Sequence, residues 1–253
     1  MTTDLRSVLD AVVDPPAEPV ALLFSGGTDS LTILWTLLAK GAAVTAYTFH
    51  LSYFESADAR ASRLACAHWK VPQVLVTEDA RPKLEQVREV IGIIASGRKT
   101  HVEVMYGYRF LLEAVRERVV YSGIQADTLY GSNKNAAIRC GKADAATFRA
   151  YREGLLASPD QEGLAQARRL AAHFGKTLVT PYSEPAVREF MLGFSWAEMN
   201  RPKQKMPAVR AFMAEFRSLP IYRIDDNMQC GSRLREHLAE VRPLYTRIAK
   251  GAV

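Results

Sequence analysis

The chain has 253 residues, 48% of them hydrophobic and 24% charged, which is enough apolar material for a full-sized core and unlike the composition of a disordered segment. It has neither a basic start leading into an apolar run nor a stretch of about eighteen apolar residues, so the expectation is a soluble cytoplasmic protein without a membrane span. The net charge is +6, and residues 201–253 account for all of it with eleven Lys or Arg against five Asp or Glu.

After Pro15, Pro16 and Pro19, residues 20–24 are continuously apolar, as in a strand buried on both faces. Next comes the loop Ser25-Gly26-Gly27-Thr28-Asp29-Ser30, then a helix with Leu31, Leu34, Trp35 and Leu38 on one face and Gly41 to end it. A second strand is predicted at 44–49, a helix marked by Ala57, Ala61, Leu64 and Ala65, and a third strand at 74–76. The segment 102–118 has helical spacing at Tyr108, Leu111, Leu112 and Val115 and leads into a fourth strand at 119–121. Leu164, Ala167, Ala171 and Phe174 line another helix, closed by Gly175, before a fifth strand at 177–180. Strands alternating with helices predict an α/β fold with a doubly wound parallel sheet. Beyond Pro181 the pattern is helical, with Val209, Phe212, Met213 and Phe216 on one face. This predicts a core over 19–200 and a basic helical C-terminal cap over 201–253.

In open parallel sheets ligands bind beyond the carboxyl ends of the strands, which is where residues 25–30 fall. Gly26 and Gly27 allow a tight turn and close backbone approach to a phosphate, and the helix N-terminus favours an anion. Ser25 and Ser30 supply hydroxyls. Asp29 would repel a naked phosphate, and its presence is explained by a Mg²⁺ between carboxylate and phosphate oxygens. The bland alternative is a turn in which Asp29 or Ser30 caps the helix. The lysine and spacing of a Walker A loop are absent, which disfavours γ-phosphate transfer.

The run LLFSGGTDS resembles the PP-loop of the N-type ATP pyrophosphatases, a superfamily of HUP-like α/β folds. The resemblance implies ATP and Mg²⁺ as cofactors, with residues 25–30 on the pyrophosphate. Residues 122–131, SGIQADTLYG, resemble the SGxG(A/S)DE(L/V)FGGY segment of asparagine synthetases and β-lactam synthetases. That likeness implies that Asp127 shares the Mg²⁺ with Asp29 and that Ser122 and Gly123 border the adenosine and substrate pocket. Thr180-Pro181-Tyr182 and, after a helix, Arg201-Pro202-Lys203-Gln204-Lys205 are similar to that family's PFLD helix and lysine loop. Lys203 or Lys205 would then meet charge developing at the α-phosphate, the alternative being an exposed basic loop. By the same likeness Phe49, His50 and Leu51 would border adenine, although a histidine at a strand end also serves as a plain polar cap.

Ile124, Gln125 and Thr128 stand where the family motif has glutamate, glycine and glutamate, which counts against ordinary aspartate amidation. Met1-Thr2 offers no N-terminal cysteine nucleophile, so nitrogen is expected from ammonia, a separate glutaminase or an amine substrate. The leading expectation is an AMP-forming ligase that takes a small acid and an amine. The alternative is a nucleic-acid base-modifying enzyme, supported by the basic C-terminal segment and by Cys140 and Cys230 as a sulfur-transfer pair. A third reading, an ATP sensor without turnover, is opposed by the intact SGGTDS. Cys66, Cys140 and Cys230 form no CxxC pair, so reduced, structural thiols are the bland expectation.

Overall fold

The structure is a computed structural model, and it describes residues 3–158, 163–219 and 233–249. Cys230 and the rest of 220–232 lie outside the described residues. The sheet has five strands: β1 (Val20–Leu23), β2 (Val44–Phe49), β3 (Gln73–Val76), β4 (Val119–Tyr121) and β5 (Thr177–Val179). All pair in parallel, in the order β3-β2-β1-β4-β5. The chain winds outward from β1 to β3, then returns to place β4 on the other side of β1. This is the expected doubly wound, HUP-like arrangement. Its switch point, the crevice that such a reversal opens beyond the strand ends, lies between β1 and β4.

Each strand of the central pair is buried on both faces, and alternation sorts its side chains into two cores. Val20, Leu22 and Phe24 join a cluster with helices α1 (Leu5–Val12) and α2 (Thr28–Ala39), whereas Ala21 and Leu23 join one with α4 (Lys83–Ile94) and α5 (Lys99–Ala114). On the first face the C-terminal helices α12 (Met206–Ala211) and α13 (Met213–Ser218) close the core. There Phe212 and Phe216 meet the Trp35 ring at centroid distances of 5.5 and 4.8 Å. On the second face α14 (Leu234–His237) and α15 (Arg242–Ala249) add Leu234, Leu238 and Tyr245 to the α4–α5 core.

The helix predicted between the second and third strands is α3 (Ala57–Trp69), but it buries Asp58, Ala59, Ser62, Ala65 and Cys66 and leaves Leu64 exposed. The buried face is small and partly polar because Ser62 accepts a hydrogen bond from Gln73 Nε2 at 2.7 Å and packs on the loop after β1. Helix α5 stops at Ala114, short of the predicted end, since Val115 turns to extended geometry at the cap. Helices α1 and α4 were not among the predicted elements. The same holds for α7 (Lys134–Cys140) and α8 (Ala145–Leu156), which lie between β4 and α9 (Leu164–His173).

One buried cation holds this insertion in place. Arg152 of α8 is fully buried over the Phe148 ring. Its guanidinium donates to the carbonyls of Leu129, Met191, Leu192, Phe194 and Phe148 at 2.8–3.3 Å. Leu129 O lies in the last turn of α6 (Ala126–Tyr130) and Met191 O and Leu192 O in that of α10 (Pro185–Leu192), where helix carbonyls run short of intrahelical partners, while Phe194 O follows α10 and Phe148 O belongs to α8 itself. Arg152→Met removes the desolvated charge but strands several carbonyls. The expected outcome is a loss of about 2 kcal/mol in urea denaturation, and an unchanged midpoint would show that water replaces the guanidinium.

Candidate functional site

A cleft of about 670 Å³ opens at the carboxyl ends of β1, β2 and β4, within the size range of small-molecule sites. Its floor is the loop between β1 and α2. Phe24 N–H donates to Tyr47 O at 2.8 Å and Thr48 Oγ1 donates to Phe24 O at 2.6 Å, which ties the loop's entry to β2. The Ser25 and Ser30 hydroxyls lie 3.3 Å apart, and Ser25 Oγ also accepts from Gly27 N–H at 3.2 Å. Gly27 occupies the cap position of α2 with no side-chain cap, so neither Asp29 nor Ser30 spends its oxygen as a helix cap.

The two glycines do different jobs. Gly26 has φ +72°, and a Cβ on it would stand 2.6 Å from Ser62 N and 2.8 Å from Ala61 C. Its bare face is therefore needed by α3, while Gly27 borders the cleft. A comparable approach brings the β4–α6 connection against the loop, because a Cβ on Gly123 would lie 3.0 Å from Asp29 Cβ.

That approach assembles the charged centre. Lys205, only 4% exposed in its side chain, places Nζ 2.7 Å from Asp29 Oδ2 and 2.9 Å from Asp127 Oδ1. Asp127 Oδ1 also accepts from Ser132 Oγ at 2.8 Å. Burial raises the Asp127 carboxyl pKa, but the Lys205 charge and the hydrogen bonds from Lys205 and Ser132 outweigh it and hold the group below its ordinary value. Lys205 Nζ also stands 5.7 Å from the centroid of the Tyr130 ring. The loop that carries it is fixed by Gln204 Nε2 donating to Ser132 O at 3.3 Å. From α11 (Trp196–Asn200), Trp196 donates to Gly131 O at 3.0 Å and Asn200 to Tyr130 O at 2.7 Å, which steadies the end of α6 that follows Asp127.

Asp29 and Asp127, from different connections, thus aim at one cation. Among the described residues no cluster of three or more His, Cys, Asp or Glu could hold a metal. Two carboxylates facing one point match the way Mg²⁺ binds through one or two carboxylates together with a ligand's phosphates. The donor set fits that ion.

The other expected residues divide. Ser122 is fully buried and its hydroxyl lies 2.8 Å from Tyr108 OH, a phenol whose pKa is pushed up by burial. Phe49 borders the cleft, stacked on Phe110 at 5.9 Å. His50 is half-buried with Nδ1 2.9 Å from Leu51 O, and Leu51 is fully buried; neither borders the cleft. Thr28 is buried and does not border it either, and Lys203 is exposed outside it. Cys140 is buried in α7, where desolvation raises its thiol pKa. Gln125, which replaces the motif's second glycine, keeps a glycine-like backbone at φ +76° although such geometry disfavours a side chain by about 1 kcal/mol. Sequence reasoning missed Asp58, buried in the first turn of α3, and the α5 wall of the cleft. The α5 wall was detectable, since His101, Val104, Met105, Tyr108 and Leu111 repeat at helical spacing.

The chain belongs to the asparagine synthase family, whose model matches residues 5–215, and with it to the PP-loop superfamily. No curated protein matches the chain. Among solved structures it is similar to a predicted subunit of tRNA methyltransferase from Methanocaldococcus jannaschii, at 15% identity and a TM-score of 0.45 over 88% of this chain and 87% of that one. The U34-tRNA thiolase NcsA from Methanococcus maripaludis, with its [4Fe-4S] cluster, matches at 14% identity and a TM-score of 0.30 over 94% and 87%. Both likenesses are too distant to inform the site.

Replacing Lys205 by alanine leaves two carboxylates face to face. The expected loss near neutral pH is about 2 kcal/mol, less than for a fully buried pair because Asp127 is more than half exposed. Because the Asp127 pKa is lowered in the folded state, its contribution is complete above the ordinary carboxylate value of about 3.9 and disappears as pH falls through the lowered value. The stability gap between wild type and Lys205→Ala should therefore be full at pH 6–8 and close in acid, as urea titrations across about pH 3–8 would read. A gap that is constant with pH would remove the ion pair as its cause.

Proposed function

We propose that the chain is an ATP-dependent, AMP-forming ligase. An acceptor's carboxylate or carbonyl oxygen attacks the α-phosphorus of ATP, the bond from that phosphorus to the β-phosphate oxygen breaks, and pyrophosphate leaves with the electron pair. An amine or ammonia then attacks the activated carbon, AMP departs and the nitrogen gives up a proton. The observation that carries this reading is the meeting of Asp29, Asp127 and Lys205 beside the Ser25–Ser30 loop at the switch point of the sheet.

In this reading the Ser25 and Ser30 hydroxyls and the backbone N–H groups of the loop hold the outer phosphates. Asp29 and Asp127 would hold a Mg²⁺, which when bound would supply charge neutralisation beside the pyrophosphate. Lys205 is placed better than Lys203 to meet negative charge as it develops, being buried in the cleft wall while Lys203 is exposed outside it. Phe49 offers an apolar surface for adenine. Nitrogen arrives as ammonia, from a separate glutaminase or in the amine itself, and the reaction takes place in the cytoplasm. A sulfur-transfer chemistry draws no support from Cys140, whose buried thiol is poorly disposed to ionise.

Asp29→Asn and Asp127→Asn should each lower ATP–pyrophosphate exchange by at least about a hundredfold, with circular dichroism unchanged. Exchange is measured with labelled pyrophosphate across a panel of candidate acids. Wild-type exchange in either variant would refute the metal clamp.

A further inference from the structure

Lys205 is held so that its side chain is the movable part. Its carbonyl accepts the N–H groups of Ala208 and Val209 at 3.1 Å each in the first turn of α12, and the neighbouring Gln204 is tied to Ser132 O. The backbone at Lys205 has φ +61°, a left-handed geometry that disfavours a side chain and that these contacts on both sides maintain. From this fixed point the flexible stem of the lysine carries Nζ into the wall of the cleft.

What it reaches is the point that the two carboxylates define. Nζ lies 2.7 Å from Asp29 Oδ2 and 2.9 Å from Asp127 Oδ1, with the centroid of the Tyr130 ring 5.7 Å away. Side-chain exposure is 4% for Lys205, 17% for Asp29 and 54% for Asp127, so the ammonium sits on the buried side of the pair and solvent reaches the group past Asp127. An ammonium and a divalent cation drawn to the same two oxygens repel each other, most strongly where water is scarce, so one is bound at the expense of the other. Exchange of the ammonium for a lone divalent cation also leaves a buried lysine charge without these two carboxylates. A nucleotide's phosphates remove that obstacle, because they bring negative charge that both cations can share.

We infer that Lys205 is an internal competitor of the metal: it keeps free divalent cations off Asp29 and Asp127 and yields the carboxylates only to a cation that arrives with a nucleotide. The inference rests on the metal clamp of the ligase reading and adds an order of events to it, in which cation and nucleotide enter together. The same exchange turns the ammonium toward the phosphates as they arrive.

The test is Mn²⁺ binding to the full chain without nucleotide, followed by electron paramagnetic resonance of the free ion, since Mn²⁺ takes the same oxygen ligands as Mg²⁺. Lys205→Met, which keeps a long side chain and removes its charge, should bind Mn²⁺ at least about tenfold more tightly than wild type, and the gain should vanish in Asp127→Asn/Lys205→Met. Lys142→Met, at an exposed position after α7, removes the same charge elsewhere and should bind as wild type does. If circular dichroism shows that Lys205→Met does not fold, Gln204→Ala decides instead: this exposed residue tethers the lysine loop, and its loss should tighten Mn²⁺ binding by about threefold, an unchanged affinity overturning the inference. Equal and Asp127-dependent affinity in wild type and Lys205→Met overturns the competition and leaves the clamp standing, whereas no Mn²⁺ bound by folded Lys205→Met refutes both. A gain that survives in the double variant places the metal elsewhere and overturns the inference as well. Absence of pyrophosphate exchange in wild type counts against the ligase reading alone.

Discussion

Two carboxylates on separate connections, both reaching for the ammonium of Lys205, set the terms for the rest of the site. Asp29 and Asp127 would repel each other across the switch point without a cation between them, and the lysine meets that requirement from a third part of the chain. The ion group thereby links the β1–α2 loop, the start of α6 and the loop before α12. Such a group gains little net stability once desolvation is counted, but it is strict about geometry, because removal of any one member leaves charge without compensation. A divalent cation carried in with a nucleotide would satisfy the same two carboxylates and leave the lysine to face the phosphates.

The close approach of backbones makes this geometry attainable. Gly26 lets the loop lie against α3, and Gly123 lets the β4–α6 connection lie against Asp29. At Gln125 the chain keeps a left-handed turn without a glycine, a local conflict of the kind that concentrates at functional sites. Further out, Arg152 binds the ends of α6 and α10 through their carbonyls, and Trp196 and Asn200 fasten the segment that follows Asp127. The precision of the centre thus comes from polar contacts to backbone that reach well beyond the cleft.

Along its length the cleft is divided electrostatically. The first turns of α2, α3 and α6 bring the carboxylates Asp29, Asp58 and Asp127, while at the far end Lys99, Arg235 and Arg242 surround the buried Glu103. The C-terminal segment belongs to this arrangement twice over, through Lys205 at one end and Arg235 at the other.

The parallel sheet, its strand positions and the loop between β1 and α2 were legible in the amino-acid sequence, because strands buried on both faces are short apolar runs and the loop has a local signature at residues 25–30. The buried face of α3 was not, since Ser62 is buried against Gly26 and Gln73 from other parts of the chain, and a helix read by hydrophobicity points Leu64 inward when it faces out. Asp29, Asp127 and Lys205 could each be singled out as residues, but their separation by about a hundred and about eighty positions hides that they share one point in space. Local order follows from neighbouring residues and so belongs to the sequence. The pairing of charges across the cleft, and the choice of Lys205 over Lys203, depend on which backbones come close enough to exclude water, and only the tertiary structure decides that.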